Sequence, residues 1–331
     1  MNKIKVGLSI GDPNGVGLEV ILKAFEDKSL YESMIPILFA SRNIVESQKV
    51  FFKSKIHINY IKNIKYLKEE TLNVFEIPLE HHDINFGVQS KKAGVISAES
   101  LKRSINAIKK GIIDVLVTAP INKKSIQSQN FKFPGHTDYL DLNFDGDSLM
   151  FMISGSLRIA LVTDHIPVKR VSKTITNELL ALKIRQVQLS LKNDFGISKP
   201  KLALLGLNPH SGDNGVIGNE EDLIIKPIIL ETNINKIEVH GPFPADSFFA
   251  SKKHKEYDAI IAMYHDQGLI PFKMLSFGKG VNFTAGLNLI RTSPDHGTCF
   301  DIAGKGIVNS NSFKEAILES IRIFKSRHKR D

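Results

Sequence analysis

The sequence predicts an α/β protein with a largely parallel sheet and two domains. Three observations carry this. Short apolar, β-branched runs alternate with stretches of helical period, as in β-α-β crossovers. No internal repeat of solenoid length competes with that pattern. The chain of 331 residues, 42% apolar and 24% charged, has the length of about two packed domains of ~150 residues each.

Each element has a local reason. A strand over 5–10 breaks at Gly11-Asp12-Pro13, and a helix over 18–25 follows. Strands over 37–40 and 74–77 are short apolar runs. The helix over 95–110 is the clearest. Ile96, Leu101, Ile105 and Ile108 recur at helical spacing, and Gly111 stops it. Strands over 114–118 and 159–163 come next, then a helix over 177–192 and a strand over 201–206. A helix over 220–230, strands over 236–240 and 258–263, and a helix over 312–324 complete the alternation. No Pro/Gly-rich linker divides the chain, so the two domains share its middle.

Composition excludes several classes of function. No long polar or Pro/Ser tract appears, which excludes a disordered chain. The longest apolar runs, such as 259–263, fall far short of the ~20 residues of a membrane span. The start carries Lys3 and Lys5 but no apolar stretch of signal-peptide length before Gly11. The single cysteine, Cys299, cannot form an internal disulfide and fits a reducing cytoplasm, the expected location. The net charge of +9 would suit nucleic acid or a membrane surface. No basic stripe interleaves with aromatics, however, and no nucleic-acid motif is present. A basic surface with a basic end over 325–330 accounts for the charge. The expected partners are small anions, with neither nucleic acid nor membrane.

In a sheet of this kind ligands sit beyond the carboxyl ends of the strands. The first strand runs into Gly11-Asp12-Pro13-Asn14-Gly15-Val16-Gly17. That spacing is neither the dinucleotide G-x-G-x-x-G nor a phosphate loop ending in Gly-Lys-Ser/Thr. Either Asn14 caps a helix whose start receives an anion, or the segment is a plain tight turn. Three histidines follow apolar strands in like settings. They are His165 after Ile-Ala-Leu-Val-Thr-Asp, His210 after Leu-Ala-Leu-Leu-Gly-Leu-Asn-Pro, and His265 after Ala-Ile-Ile-Ala-Met-Tyr. Converging strand ends would gather three imidazoles, a donor set for Zn²⁺ or a similar divalent ion with one position left for substrate. Asp164, Asp213 and Asp266 lie close enough in sequence to orient the rings. The competing reading is separate strand-end histidines bonded to backbone, since His240 ends a strand too.

Gly135-His136-Thr137-Asp138, after Pro134, is either a helix-capping turn or a polar substrate contact through His136 and Thr137. No Gly-x-Ser-x-Gly elbow points to acyl transfer. Lys273, Asn282 and Arg291 form a later basic and polar group. Arg291 ends the apolar stretch 285–290, unlike ordinary surface, and its planar fork suits phosphate or carboxylate. The stretch Asp295-His296-Gly297-Thr298-Cys299-Phe300-Asp301-Ile302-Ala303-Gly304-Lys305-Gly306 is either a structural loop or a nucleotide loop. In the second case Asp301 receives a ribose hydroxyl.

That last stretch resembles the cofactor loop of isocitrate and isopropylmalate dehydrogenases, His-Gly-x-x-x-Asp-Ile-Ala-Gly-Lys-Gly. Further motifs narrow the match. They are Gly-Asp-Pro-Asn-Gly-Val-Gly (11–17), Thr-Ala-Pro-Ile-Asn-Lys (118–123), Gly-His-Thr-Asp (135–138) and Gly-Leu-Asn-Pro-His-Ser-Gly (206–212). Gly-Pro-Phe-Pro-Ala-Asp (241–246), Tyr-His-Asp-Gln-Gly (264–268) and Arg-Thr-Ser-Pro-Asp-His-Gly-Thr (291–298) follow in order. Together they resemble the 4-hydroxythreonine-4-phosphate dehydrogenase family of pyridoxal phosphate synthesis, over nearly the whole chain. Asp138 stands where the family commonly has Glu, and Asp164 where Thr is common. Neither is an implied ligand.

The resemblance implies a homodimer of two-domain α/β/α subunits of the isocitrate/isopropylmalate dehydrogenase-like fold, with the active site shared between subunits. A terminal domain of 1–130 and 276–331 would carry the NAD loop, and a central domain of 131–275 the metal ligands and dimer contacts. The implied metal ligands are His165, His210 and His265, for Zn²⁺ first and Mg²⁺ or Co²⁺ as alternatives. Substrate contacts fall to His136, Thr137, Lys273, Asn282 and Arg291, and cofactor contacts to Asp301 and Gly297. Lys273 also has a catalytic role, and Asp246 is the candidate proton acceptor. The implied reaction is oxidation of 4-phosphooxy-L-threonine by NAD, with NADP as an alternative. The 3-oxo acid formed would lose carbon dioxide to give 3-amino-2-oxopropyl phosphate. A sister dehydrogenase of 4-phospho-erythronate or -threonate is the nearest alternative. A metal-dependent phosphatase is an alternative of another class, and it leaves 295–306 unexplained.

Overall fold

A computed structural model describes residues 3–79, 82–127, 133 and 135–329. The domain boundary expected at 130/131, Pro134 and Arg330 of the basic end lie outside the described residues. The chain begins with β1 (Ile4–Ser9), α1 (Gly17–Ala24), β2 (Met34–Ala40), α2 (Arg42–Phe51), β3 (Ile58–Ile61), β4 (Leu72–Glu76), α3 (Lys91–Lys109) and β5 (Val115–Thr118). Then come α4 (Lys123–Ile126), α5 (His136–Asn143), β6 (Gly146–Ser154), β7 (Leu157–Leu161), α6 (Val171–Thr174), α7 (Asn177–Asn193) and β8 (Leu202–Leu205). The remainder is α8 (Lys226–Ile234), β9 (Val239–Phe243), α9 (Ala245–Ala250), β10 (Ala259–Ala262), α10 (His265–Ser276), β11 (Val281–Leu287), β12 (Arg291–Pro294) and α11 (Asn311–Arg327).

The chain divides into two units. The first takes Met1–Asp145 and Asn288–Phe324, the second Gly146–Leu287 and Lys325–Asp331. In the first, the strands run all parallel in the order β3-β4-β2-β1-β5-β12. Strands β1, β2 and β5 are near-continuous apolar runs buried on both faces, as parallel strands between helices must be. The expected long helix is α3. It starts at Ser90, whose Oγ accepts from the Ala93 amide at 3.5 Å, and it buries Ile96, Leu101 and Ile105. Ile108 packs half-buried on the cluster of Ile37, Phe39 and Ile77.

In the second unit the order is β11-β6-β7-β10-β8-β9. Strands β7, β10, β8 and β9 are parallel, and β6 runs antiparallel to both of its neighbours. The core joins Ile159, Leu161, Ala203, Leu205, Ile260 and Ala262 of the sheet to Leu269 and Phe272 of α10 and Phe248 of α9. Gly268 lets α10 lie close to the sheet: a Cβ there would sit 2.9 Å from a Leu161 methyl and 3.0 Å from an Ile159 methyl.

Several elements differ from expectation. Strands β3, β6, β11 and β12 were not read from the alternation of parallel strands and helices. Two of them, β6 and β11, form an antiparallel pair, and β6 returns to β7 through a tight turn at Gly155, φ +58°. The strand expected over 236–240 is β9, three residues later. Residues between α8 and β9 close the helix end instead, with Lys236 left-handed and the Ile237 amide bonded to Thr232 O. The helix expected over 220–230 begins with a wide turn at Glu221–Ile225 before α8. In sequence the two units divide at 145/146 and 287/288. Residues 281–287 pair with β6 and so belong with the second unit.

Candidate active site

Strands β7, β10 and β8 are parallel neighbours, so the segments that follow them leave the same sheet edge. Those segments carry His165, His265 and His210. Thr163 ties the first two by donating from Oγ1 to Met263 O at 2.7 Å. Gln267 ties the second to the third: it accepts from the Met263 amide at 2.7 Å and donates to Gly206 O at 2.6 Å. The His165 and His265 rings are neighbours, with centroids 5.6 Å apart and planes tilted by 45°. Asp266 Oδ1 lies 2.7 Å from His265 Nδ1, which fixes that ring and leaves Nε2 to meet a ligand. Asp164 accepts from the His165 amide at 2.5 Å, with its other oxygen 3.9 Å from His165 Nδ1.

His210 is exposed and opens a left-handed run, with φ between 45° and 79° from His210 to Asn214. Buried Glu221 anchors the segment ahead of it. It accepts from the Leu207 and Asn208 amides at 2.8 and 2.7 Å and from Asn208 Nδ2 at 2.9 Å. Among the described residues no three His, Cys, Asp or Glu side chains are grouped to hold a metal ion. Imidazoles are the right donors for a borderline divalent ion, so the neighbouring His165–His265 pair fits one. His210 shares their sheet edge without completing the group. His240 stands apart, with Nε2 2.9 Å from Glu238. Asp246 is exposed in the first turn of α9, Lys273 is exposed on α10, and Asn282 is half-buried in β11.

The first unit holds a different chemistry. Arg291 opens β12 and is 3% exposed. Its Nε and Nη2 donate to Thr118 Oγ1 at 3.0 and 2.6 Å, and burial pulls its pKa down to about 9. His136 and Thr137 begin α5 just after the capping Gly135. His136 Nε2 is enclosed and has no hydrogen-bond partner among the described residues. Burial, then the nearby Arg291 and Lys123 charges, hold this imidazole well below its usual pKa, so it is neutral. A neutral imidazole beside two cations can exchange a hydrogen bond with an anion without adding a third charge.

The loop of 295–306 is fastened at several points. The Val16 amide donates to Thr298 O at 3.1 Å, and a Cβ on Gly15 would sit 2.8 Å from the same oxygen. The Phe86 ring fills the space beside Gly304, φ +78°. Asp301 and Gly297 are exposed, and a Cβ on Gly297 would meet nothing within 4 Å. Asn14 does not cap α1. Its side chain accepts from the Asn85 amide at 3.1 Å, contacts His82 Nε2 at 3.2 Å and donates to Val88 O at 2.9 Å. The first loop is therefore a hub for its neighbours, closer to the tight-turn reading than to an anion site.

A family model described as "Pyridoxal phosphate biosynthetic protein PdxA" matches residues 32–319. The chain belongs to this family. A 4-hydroxythreonine-4-phosphate dehydrogenase of Bacteroides thetaiotaomicron is 42% identical over 330 residues, covering 99% of this chain and 91% of that one. A protein of Oceanobacillus iheyensis with the provisional name D-threonate 4-phosphate dehydrogenase is 36% identical, over 96% and 97% of the two chains. Among solved structures, 4-hydroxythreonine-4-phosphate dehydrogenase from Klebsiella pneumoniae superposes with a TM-score of 0.85 at 30% identity, covering 98% of each chain. The fold alone extends to isocitrate dehydrogenase from Methylococcus capsulatus. Its TM-score is 0.50 at 15% identity, over 98% of this chain and 88% of that one.

Within this PdxA-family fold, sequence reasoning passed over Thr118, Lys123, Glu221 and Gln267. Thr118, Lys123 and Gln267 lie in motifs quoted for the family, whereas Glu221 lies outside them. The available signal was the polar residue that closes each apolar strand motif, as Thr118 closes Val-Leu-Val-Thr.

Proposed function

We propose that this chain oxidises 4-phosphooxy-L-threonine at C3 with NAD, and that the resulting 3-oxo acid loses carbon dioxide to give 3-amino-2-oxopropyl phosphate, a precursor of pyridoxal 5′-phosphate. The observation that carries the reading is the neighbouring pair His165 and His265 at adjacent strand ends, 5.6 Å between ring centroids, with His210 after the next strand. A divalent ion, Zn²⁺ first and Mg²⁺ or Co²⁺ as alternatives, would supply Lewis acidity toward the C3 oxygen, and NAD would accept the hydride.

The chain's own groups then have separate tasks. His165, His265 and His210 offer nitrogen donors, with Asp266 holding the His265 ring in register. Arg291 and Lys273 hold the anionic ends of the substrate, with Asn282 and Thr137 bonding its polar groups. Neutral His136 presents Nε2 to the same anion. Asp246 takes the proton from the C3 hydroxyl. Asp301 accepts from the adenosine ribose, and a carboxylate there repels the extra phosphate of NADP, which favours NAD. Gly297 leaves room for the dinucleotide.

A homodimer with a shared site belongs to this reading. Ile270, Met274 and Phe277, at one-turn and two-turn spacings along and just past α10, are 58%, 69% and 83% exposed. Such a stripe favours a partner surface. The single cysteine favours a cytoplasmic location.

An absorbance assay for NADH with 4-phosphooxy-L-threonine tests the proposal. NADH should form, stop with chelator and resume with added divalent ion. No NADH under any metal condition overturns it. Faster turnover of 4-phospho-D-threonate would move the assignment to the sister activity, the reading favoured by the Oceanobacillus relative.

A further inference from the structure

We infer that Thr118 is a positioning residue for anion binding: its buried hydroxyl fixes the direction of the Arg291 fork without cancelling the guanidinium charge. The inference rests on the reading of Arg291 as a substrate contact. Register explains how the two meet. Arg291 pairs with Leu116 and Thr292 with Val117 across β12 and β5. Thr118 lies two residues beyond Leu116, so it projects to the same face one pleat further toward the strand ends. The Arg291 side chain runs along that face and closes on Thr118 Oγ1 through Nε at 3.0 Å and Nη2 at 2.6 Å.

The type of partner matters. A carboxylate in the place of Thr118 would neutralise Arg291 and compete with an incoming phosphate. A hydroxyl accepts both N–H groups and brings no opposing charge of its own. Thr118 itself is fully buried at the end of β5, and its β-branched side chain has few rotamers to choose from. The acceptor is therefore rigid. The next residues in the same motif lead to Lys123, which acts on His136 together with Arg291. One short segment thus sets both cations around that imidazole.

The experiment compares Thr118→Val, Thr118→Ser and Arg291→Lys, singly and with Val and Lys combined. It measures KM and kcat for the phosphorylated substrate and the affinity for inorganic phosphate by calorimetry. Thr118→Val should raise KM and weaken phosphate binding about tenfold, the scale of one charge-assisted hydrogen bond, with little change in kcat. Thr118→Ser should restore both. In the Arg291→Lys background the Val substitution should add little, because both act through one fork. If the valine variant does not fold, Thr118→Ala, which cannot overpack the site, gives the same reading. A Thr118→Val protein that melts earlier but keeps KM and phosphate affinity, beside an impaired Arg291→Lys, overturns this inference alone. An unimpaired Arg291→Lys overturns the substrate reading of Arg291 and this inference with it.

Discussion

Burial holds the Arg291 guanidinium down to about 9, yet at neutral pH it keeps its charge. Asp12 presents the opposite case. It is fully buried in the loop after β1, and burial raises its pKa from 3.8 to about 6, against the lowering effect of the Asn14 amide. Oδ1 accepts from that amide at 2.9 Å, while Oδ2 has no partner among the described residues. An acid with its folded pKa raised destabilises the fold once it ionises. The penalty is absent below about pH 4, grows as pH rises toward 6, and is complete above it. Asp12→Asn keeps the Oδ1 acceptor and removes the charge. It should stabilise the protein at pH 7–8 by about 2–3 kcal/mol at most, a few degrees in Tm, and change little near pH 4. Thermal melts across pH 4–8 check this, and an equal shift at both ends would refute it. At this scale the sequence exposed some residues and hid others. Arg291 stood out because it ends an apolar stretch. Asp12 and Thr118 did not, because only the packed structure shows that Asp12 Oδ2 has no partner among the described residues and that Thr118 Oγ1 holds Arg291.

At the scale of elements, strands followed by a polar break were legible, and the residues of interest sit after them. The segment between β8 and α8 was less so. In its left-handed run from His210 to Asn214, His210, Gly212, Asp213 and Asn214 each tolerate positive φ, but no one of them marks a continuous run, and it holds because buried Glu221 anchors Leu207 and Asn208. That gives an indirect route to the histidine pair and its third member. Glu221→Ala removes the acceptor of three N–H groups and should loosen the His210 segment while touching none of the three histidines. If His210 is the third ligand, metal affinity should fall roughly 10- to 100-fold, the usual effect of losing an outer-shell support. Competition against a chelator of known strength measures it. Unchanged affinity would separate His210 from the metal. The antiparallel strands β6 and β11 were not legible, because alternation of strand and helix describes only the crossovers. β6 joins β7 through a tight turn with no helix between them, and β11 pairs with a strand far earlier in the chain, so neither gives a cue at that period.

At the scale of the whole molecule, the order of motifs from residue 11 to 306 marked the family, since many modest signals in sequence are specific together. The divisions at 145/146 and 287/288 were hidden because they depend on which strands pair. The dimer was expected through the resemblance, and it has a test that needs no structure. One chain brings the His165 and His265 rings together, 5.6 Å between centroids, while His210 does not complete a group of three with them. If the shared site draws His165 and His210 from one subunit and His265 from the other, as the resemblance implies, two damaged proteins can repair one another. His210→Ala and His265→Ala should each be inactive alone. When they are unfolded together and refolded, random pairing makes about half of the dimers mixed. In a mixed dimer one site collects both substitutions and the other collects neither, so about a quarter of wild-type activity should return if the sites act separately. The argument holds whichever chain supplies His165, because the two altered residues still come from different subunits. If one chain supplies all three ligands, every site in a mixed dimer keeps one lesion and nothing returns. Native mass measurement must show that subunits exchanged. Exchange without recovery would refute the shared site and leave a single-chain site as the arrangement to pursue.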